Sequence, residues 1–475
     1  MSEPKRLHPA AILFLFAKSL REAIFVIVLG FISFKDNGLI YFLLGIGLLL
    51  ILLVGLSILS WMRYTYRVEG EELRIEYGIL IRKKRYISKN RIQSIDLTAG
   101  VVHRIFKLTR VQIETAGSGM NAEASLRAVR LSEGAALRSE LKTVQSKQSA
   151  EVHDETPEAQ GPSRKITNKR LFIAGSTSGR VGVVFAILAL FFSELEQFIP
   201  DRVYDETLNW VVSLSIIFIV GLAVIFLLIL WVLGIVGMVI KYGNFTITRN
   251  GDELFITRGL LEKKELTIPL KRIQAVGTQK SLIRQPLGYV TVFAEVAGGS
   301  TDKNEDFSSI LFPIMKDDEV DSFLETFLPD YTGMEDELTR LPSRALKFYI
   351  IRSVLPFLII GGVSWYFFPQ FFWAPLLLIV ASIGMGILRH RDGGIREDGD
   401  RLTIQYRFFS KNRIVLYRRR VQSIERKQHR LHMKQRLATI KLSIIGKMGM
   451  GKHFTIKELE EETANQAADW YSFRK

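Results

Sequence analysis

The 475-residue chain contains no cysteine. That excludes disulfides, a thiolate nucleophile and any cysteine-ligated metal. Histidine is scarce, at 7 residues. His429 and His432 are spaced to share one helix face and His453 follows, but a metal site needs a third ligand and a supporting shell that this pattern does not secure. No P-loop, nucleophile elbow or HExxH pattern occurs. Carboxylates are outnumbered, with 48 Asp+Glu against 64 Lys+Arg and a net charge of +16. The sequence therefore points to no catalytic residue, no cofactor and no metal, and enzyme is the weakest functional class.

What is present is an apolar yet heavily charged mixture, the composition of membrane spans joined to basic soluble modules. Residues 11–34 form a first apolar segment, interrupted by Lys18, Arg21 and Glu22. It has no small-residue cleavage site and runs straight into a second span, so it reads as a retained helix. Leu39–Trp61 carries no charge and can cross about 30 Å of hydrocarbon at about 1.5 Å per residue. Further pairs of apolar segments lie at Leu171–Phe192 with Leu208–Ile240, and at Phe348–Phe368 with Phe371–Leu388.

After each pair comes the same stretch. Gly70–Gly117, Gly251–Gly298 and Gly399–Gly446 align at offsets of 181 and 329 residues without a gap across 48 positions. Leu73, Leu254 and Leu402 coincide, as do Ile75, Ile256 and Ile404. Arg91-Ile92-Gln93 falls on Arg272-Ile273-Gln274 and on Arg420-Val421-Gln422. Such internal self-similarity sets the architecture. Glu69-Gly70, Asn250-Gly251 and Asp398-Gly399 supply tight-turn chemistry, and the alternation that follows each has the period of a strand. Each unit ends in a helical pattern, with Asp317 as a candidate N-cap before Val320, Phe323, Leu324 and Phe327, and with Lys457–Trp470 in the third copy. Several strands and one helix predict a small split barrel plugged by a helix.

The expected order is a transmembrane hairpin over 1–61, a β module over 62–141, a flexible linker over 142–170, a hairpin over 171–240, a module over 241–328, a linker over 329–346, a hairpin over 347–388 and a module over 389–475. If the hairpin turns face outward, only Lys35 and Arg202 lie in outside loops. The positive-inside rule then puts both termini and all three modules on the cytoplasmic side of the cell membrane.

The turn glycines, the Leu-x-Ile step, Gly78 and Gly259, and the Arg-Ile-Gln step, together with the hairpins, resemble the bacterial pleckstrin-homology-like (PH-like) membrane protein family of the YdbS/YdbT type, in its three-module form. The resemblance covers nearly the whole chain. It implies an α+β membrane protein: three repeats of a transmembrane helical hairpin followed by a small PH-like split β-barrel with a C-terminal helix. It brings no catalytic residues. The third copy departs from the pattern, with Arg407 where the others have Gly78 and Gly259.

Two groups of residues stand out as candidate sites. The repeat signature Arg91/Gln93, Arg272/Gln274 and Arg420/Gln422 reads either as a ligand-facing pair, since an arginine fork suits phosphate or carboxylate, or as a fold-level bond. Triplication favours the structural reading. The basic clusters Arg82, Lys83, Lys84, Arg85 and Arg418, Arg419, Arg420 are candidate lipid- or partner-binding residues. The region from Arg389 to Lys452 holds 18 Lys+Arg against 5 Asp+Glu, more than orientation requires. Anionic headgroups attract each nearby basic side chain by about 1 kcal/mol. No nucleic-acid motif accompanies the clusters. Arg180 and Arg352 lie in apolar segments, where they either face the bundle or snorkel to its end.

These features predict a multi-pass, non-catalytic scaffold or docking platform with anionic membrane lipids as partners. They also predict a protein partner, for which a smaller PH-like membrane protein is one candidate. The alternative is a transport or lipid-handling protein, including a role in tolerance of membrane-active compounds.

Overall fold

The structure, a computed structural model of the chain, describes residues 3–34, 38–115, 124–146, 161–177, 216–298, 309–334, 337–367, 369–371, 373–446 and 451–472. Helices α1 (Ala11–Phe34) and α2 (Leu39–Met62) pack against each other. In α1, Lys18 and Glu22 pair one turn apart at 3.5 Å, which partly neutralises the charge within the apolar run. Among the described residues, four helices are long and apolar enough to cross a membrane: Ile40–Met62, Val224–Tyr242, Ser343–Phe367 and Trp373–Arg391. The expected span Leu171–Phe192 is described only through Thr177. Its remainder with Arg180, the loop Ser193–Thr207 and the chain up to residue 215 lie outside the described residues, as do 147–160 of the expected linker and Lys35.

The first module is two antiparallel sheets. One is β1 (Lys5–Arg6), β2 (Thr65–Glu69), β3 (Glu72–Tyr77) and β4 (Lys83–Ser88); the other is β5 (Ile92–Ala99), β6 (Leu108–Thr115) and β7 (Ala124–Arg130). A short helix α3 (Val101–Ile105) links β5 to β6, and α4 (Leu131–Ser146) buries Leu137 and Leu141 against the barrel. The second module repeats this plan. Strand β8 (Ser163–Lys165) precedes α5 (Asn168–Ser176) and α6 (Ile216–Tyr242), and β9 (Thr246–Asn250), β10 (Glu253–Arg258) and β11 (Lys263–Pro269) complete its first sheet. Then come β12 (Ile273–Lys280), β13 (Tyr289–Val296), β14 (Ser309–Lys316) and α7 (Val320–Phe327). In the third module β15 (Thr339–Arg340) precedes α8 (Leu346–Phe367) and α9 (Trp373–Arg391). Its remaining strands are β16 (Gly394–Asp398), β17 (Arg401–Arg407), β18 (Lys411–Tyr417), β19 (Val421–Lys427), β20 (Leu437–Ile445) and β21 (Gly451–Glu460), with α10 (Arg430–Lys434) and α11 (Glu461–Tyr471). The strand before each membrane segment pairs with the strand after it: β1 with β2, β8 with β9, β15 with β16. Each barrel thus grips its membrane segment on both sides.

The modules are not separate beads. Strand β5 pairs with β11 and β12 with β18, so the second sheet of one module continues into the first sheet of the next. Two seven-stranded sheets result, flanked by a four-stranded sheet at the start and a three-stranded one at the end. At the first joint Lys263 faces Ala99 and Lys264 faces Thr98; at the second Lys411 faces Lys280 and Asn412 faces Gln279. Under the repeat offsets these are the same positions, so both joints share one register. The hydrophobic core also crosses the second joint, where Val415 joins the cluster around Phe312, Phe323 and Leu324.

Local chemistry explains the turns. Gly78 and Gly259 have φ of 112° and 103°, and a Cβ on either would fall 2.1 or 2.0 Å from a carbonyl oxygen. The third copy avoids that geometry: β17 runs through Arg407, which pairs with Lys411, and the turn is confined to 408–410. Two sequence expectations are corrected. Asp317 does not cap α7; its carboxylate accepts from the Lys280 ammonium instead. Lys457–Glu460 belong to β21, and the terminal helix begins at Glu461, because sheet pairing with β20 overrides the helix propensity of that acidic run.

Candidate functional site at the membrane face

The β3–β4 turn and its equivalents end at the membrane helices. Gly259 N–H donates to Gly243 O at 2.8 Å and Leu260 N–H to Ile240 O at 3.0 Å, at the last turn of α6. In the third module Arg389 of α9 donates through Nε to Phe408 O at 3.0 Å. At this level each module exposes apolar side chains: Leu80 is 98% and Ile81 73% exposed, and Leu260, Leu261, Phe408 and Phe409 are exposed at the equivalent turns. Turn residues are normally polar. Basic residues follow at once, namely Arg82–Arg85 in the first module, Lys263 and Lys264 in the second, and Lys411 in the third.

A second loop lies on the same face. Val101, Ile105 and Phe106 are exposed in the first module, Leu282, Ile283 and Leu287 in the second, and Leu431 and Met433 in the third. One equivalent residue in each loop ties the barrel to the start of its membrane segment. His103 stacks on Phe14 of α1 with ring centres 4.0 Å apart. Arg284 donates to Thr177 Oγ1 at 2.9 Å, Ala174 O at 3.1 Å and Thr291 Oγ1 at 2.6 Å. Burial pulls the Arg284 pKa down to about 10, so the guanidinium remains charged at neutral pH. His432 sits edge-on to Phe348 of α8 at 5.1 Å.

The third module adds a cleft of about 310 Å³ between α8, α9 and β21, lined among others by Tyr349, Arg352, Arg389, Arg407, His453 and Lys457. Arg352 forks onto the fully buried Glu458, with Nη1 3.3 Å from Oε2. Glu458 occupies the left-handed region, φ 53°, at a bulge where β20 and β21 shift register. Arg389 Nη1 donates to Ser353 Oγ at 3.1 Å. Burial lowers the Lys457 pKa, the Arg352 and Arg389 charges lower it further, and Glu458 opposes them. Burial also lowers the His432 pKa against the pull of Glu458.

The structure separates the two basic clusters. Arg82–Arg85 stand at the membrane-side tip, exposed. Arg418–Arg420 form a 3₁₀ turn at the opposite end of β18, where Arg418 N–H donates to Asp400 O at 2.9 Å and Arg419 lies over the Tyr417 ring at 5.2 Å. The repeat signature occupies that same far end. Arg272 is buried, donates through Nε to Ala297 O at 2.9 Å, and lies 3.6 Å from Glu114 of the preceding module. Gln274 donates to Arg272 O at 3.1 Å. Arg91 is exposed and Gln93 half-buried, while Arg420 is half-buried and Gln422 exposed. Among the described residues no group of three or more metal-ligating side chains converges.

The joints carry residues that sequence reasoning missed. Buried Asp96 accepts from Thr267 N–H at 3.2 Å, and Arg138 reaches Glu265 at 3.2 Å. Arg407 is buried in the second joint, bonded to Asp392, to Phe409 O at 3.1 Å and to Gln285 Oε1 at 2.5 Å. Lys452 lies 3.6 Å from Glu295, the repeat equivalent of Glu114. Burial and the Glu114 charge raise the Asp96 pKa, partly offset by the Thr267 N–H and by Arg138 and Arg272.

Three split barrels strung on apolar helices define a membrane protein with repeated PH-like modules. The bacterial PH domain family matches residues 19–145, 208–329 and 351–475, and the chain belongs to that family. It is 35% identical over 492 aligned positions to the transmembrane protein YdbT of Bacillus subtilis (strain 168), covering 100% of this chain and 99% of that protein. No solved structure matches the chain.

Proposed function

We propose that the protein is a non-catalytic platform of the cell membrane, with both termini and three PH-like modules on the cytoplasmic side, each module following a membrane hairpin (1–61, 171–240 and 347–388). The modules lie against the headgroup layer, hold anionic lipids and dock a PH-like protein partner. The observation that carries this reading is the threefold recurrence of exposed apolar tips beside a membrane helix, each followed by basic residues. Apolar side chains at the interface with an adjacent basic collar are the chemistry of surfaces that seat in anionic headgroups. Arg82–Arg85 and the Arg352–Arg389–Lys457 cleft are the proposed lipid contacts. Arg418–Arg420, exposed or half-buried at the far end of β18, are the proposed contacts for the protein partner.

The test is native mass spectrometry of the full chain released from nanodiscs of equal phosphatidylglycerol and phosphatidylcholine. Anionic lipid should be retained preferentially, and Lys83→Gln, Lys84→Gln and Lys457→Gln together should reduce that preference. Equal retention of both lipids by the unaltered chain contradicts the reading.

A further inference from the structure

The two ends of the array are open versions of the joints inside it. Strand β4 is the repeat equivalent of β11 and β18, whose outer edges are paired, yet among the described residues β4 ends its sheet. Lys83 through Tyr86 are all exposed, whereas Ile414–Leu416 in β18 are buried. At the other end β19 is the equivalent of β5 and β12 and also ends its sheet, with Val421 buried, Ile424 half-buried and the other five residues exposed. An open strand edge is a template for pairing.

We infer that the β4 edge is a docking site for a PH-like module of a different chain, one that presents a neutral-to-acidic β5-type strand. The shared register of the two internal joints fixes what would meet if a second copy docked instead. Continued to the ends, it sets Lys427 opposite Lys83, Arg426 opposite Lys84, Glu425 opposite Arg85 and Ile424 opposite Tyr86. Two of these four pairs are like-charged, which destabilises strand pairing. The internal joints put Thr98 and Leu97, or Gln279 and Thr278, at the positions of Lys427 and Arg426. They also supply a buried acid, Glu114 or Glu295, whose third-module equivalent is Ser443. The β19 edge of this chain therefore lacks what a β4-type edge receives at both joints. Like charges at both ends also keep a head-to-tail interface from propagating into filaments. This deepens the docking part of the proposed function and rests on it.

The absence of native cysteine allows a direct test with full chains in proteoliposomes. One population carries Tyr86→Cys. A second carries Ile424→Cys, either alone or with Ser443→Glu, Arg426→Thr and Lys427→Gln, which restores the residues of the second joint. The restored edge should crosslink to the Tyr86→Cys chain with about tenfold higher yield than the native edge. Equal yields from native and restored edges would assign the site to a second copy, and absence of crosslinks from both would show that the edge does not accept strands. Either result overturns the inference, while lipid retention, read separately, leaves the lipid part of the proposal standing or falling by itself.

Discussion

Arg272 Nη1 lies 3.6 Å from Glu114 Oε2, and both side chains are buried where the second module continues the sheet of the first. In the second module the signature arginine is thus a joint residue: Arg272 bonds its own module through Ala297 O and meets the preceding module through a carboxylate. Removing one partner of such a pair leaves the other charge buried.

Arg272→Ala should therefore destabilise the full chain by about 1.5–3 kcal/mol, the range for buried bonds to charged groups. Arg91→Ala, at an exposed position, should cost less than Arg272→Ala does. Thermal melts of the two variants in detergent check this. Equal losses would return the signature to a role inside each barrel.

Asp96 gives the first joint a pH dependence. Its folded-state pKa is raised, so the folded chain binds the proton more tightly than the unfolded chain does. That contribution is fully present below the ordinary aspartate pKa, about 3.9, and is lost as pH rises through the raised value. Asp96→Asn should flatten the decline and melt higher than the native chain at pH 8, while keeping the Thr267 N–H bond through its amide oxygen. A native chain whose melting temperature rises relative to the variant between pH 5 and 8 would contradict the sign.

Lys107, Gly288 and Arg436 occupy one repeat position, all in the left-handed region at φ 52°, 67° and 49°. Their carbonyls accept from Leu131, Asp317 and Glu461 N–H at 3.1, 2.9 and 3.0 Å, at the start of the chain leading into each closing helix. A side chain there is strained by about 1 kcal/mol. Lys107→Gly and Arg436→Gly should each raise the melting temperature, and Gly288→Ala should lower it even though its Cβ would meet nothing within 4 Å.

Orientation is tested by labelling. Cysteines placed at Asp36, Gln197 and Gln370 should react with an impermeant reagent in intact cells, and those at Gln160 and Lys475 only after lysis. Labelling at Lys475 in intact cells would invert the topology.

The repeat, its turn glycines and the barrel were legible because they depend on local periodicity and on φ values that Gly78 and Gly259 alone permit cheaply. The joints were not legible. Strand β5 meets β11 across more than 160 residues, and no local pattern marks which strand edge another module will cover. Arg407 read as a break in the turn-glycine pattern, but its burial beside Asp392 and Gln285 depends on the second joint, which no local signal marks. The exposure of Phe408 and Phe409 likewise depends on the helix end beside them, which the sequence does not place. Tertiary placement, not composition, separates Arg82–Arg85 from Arg418–Arg420.

The proposed seating of the module tips in the headgroup layer is open to direct measurement. The chain has no cysteine, so single spin labels can be placed at Leu80, Leu261 and Phe409, and at Glu71, Asp252 and Asp400 on the opposite turns of the same sheets. Collision with oxygen and with a water-soluble nickel complex is then measured for the full chain in anionic bilayers. The three tip labels should be oxygen-accessible and shielded from nickel, and the three opposite labels should show the reverse. Six labels with the same aqueous profile would contradict it.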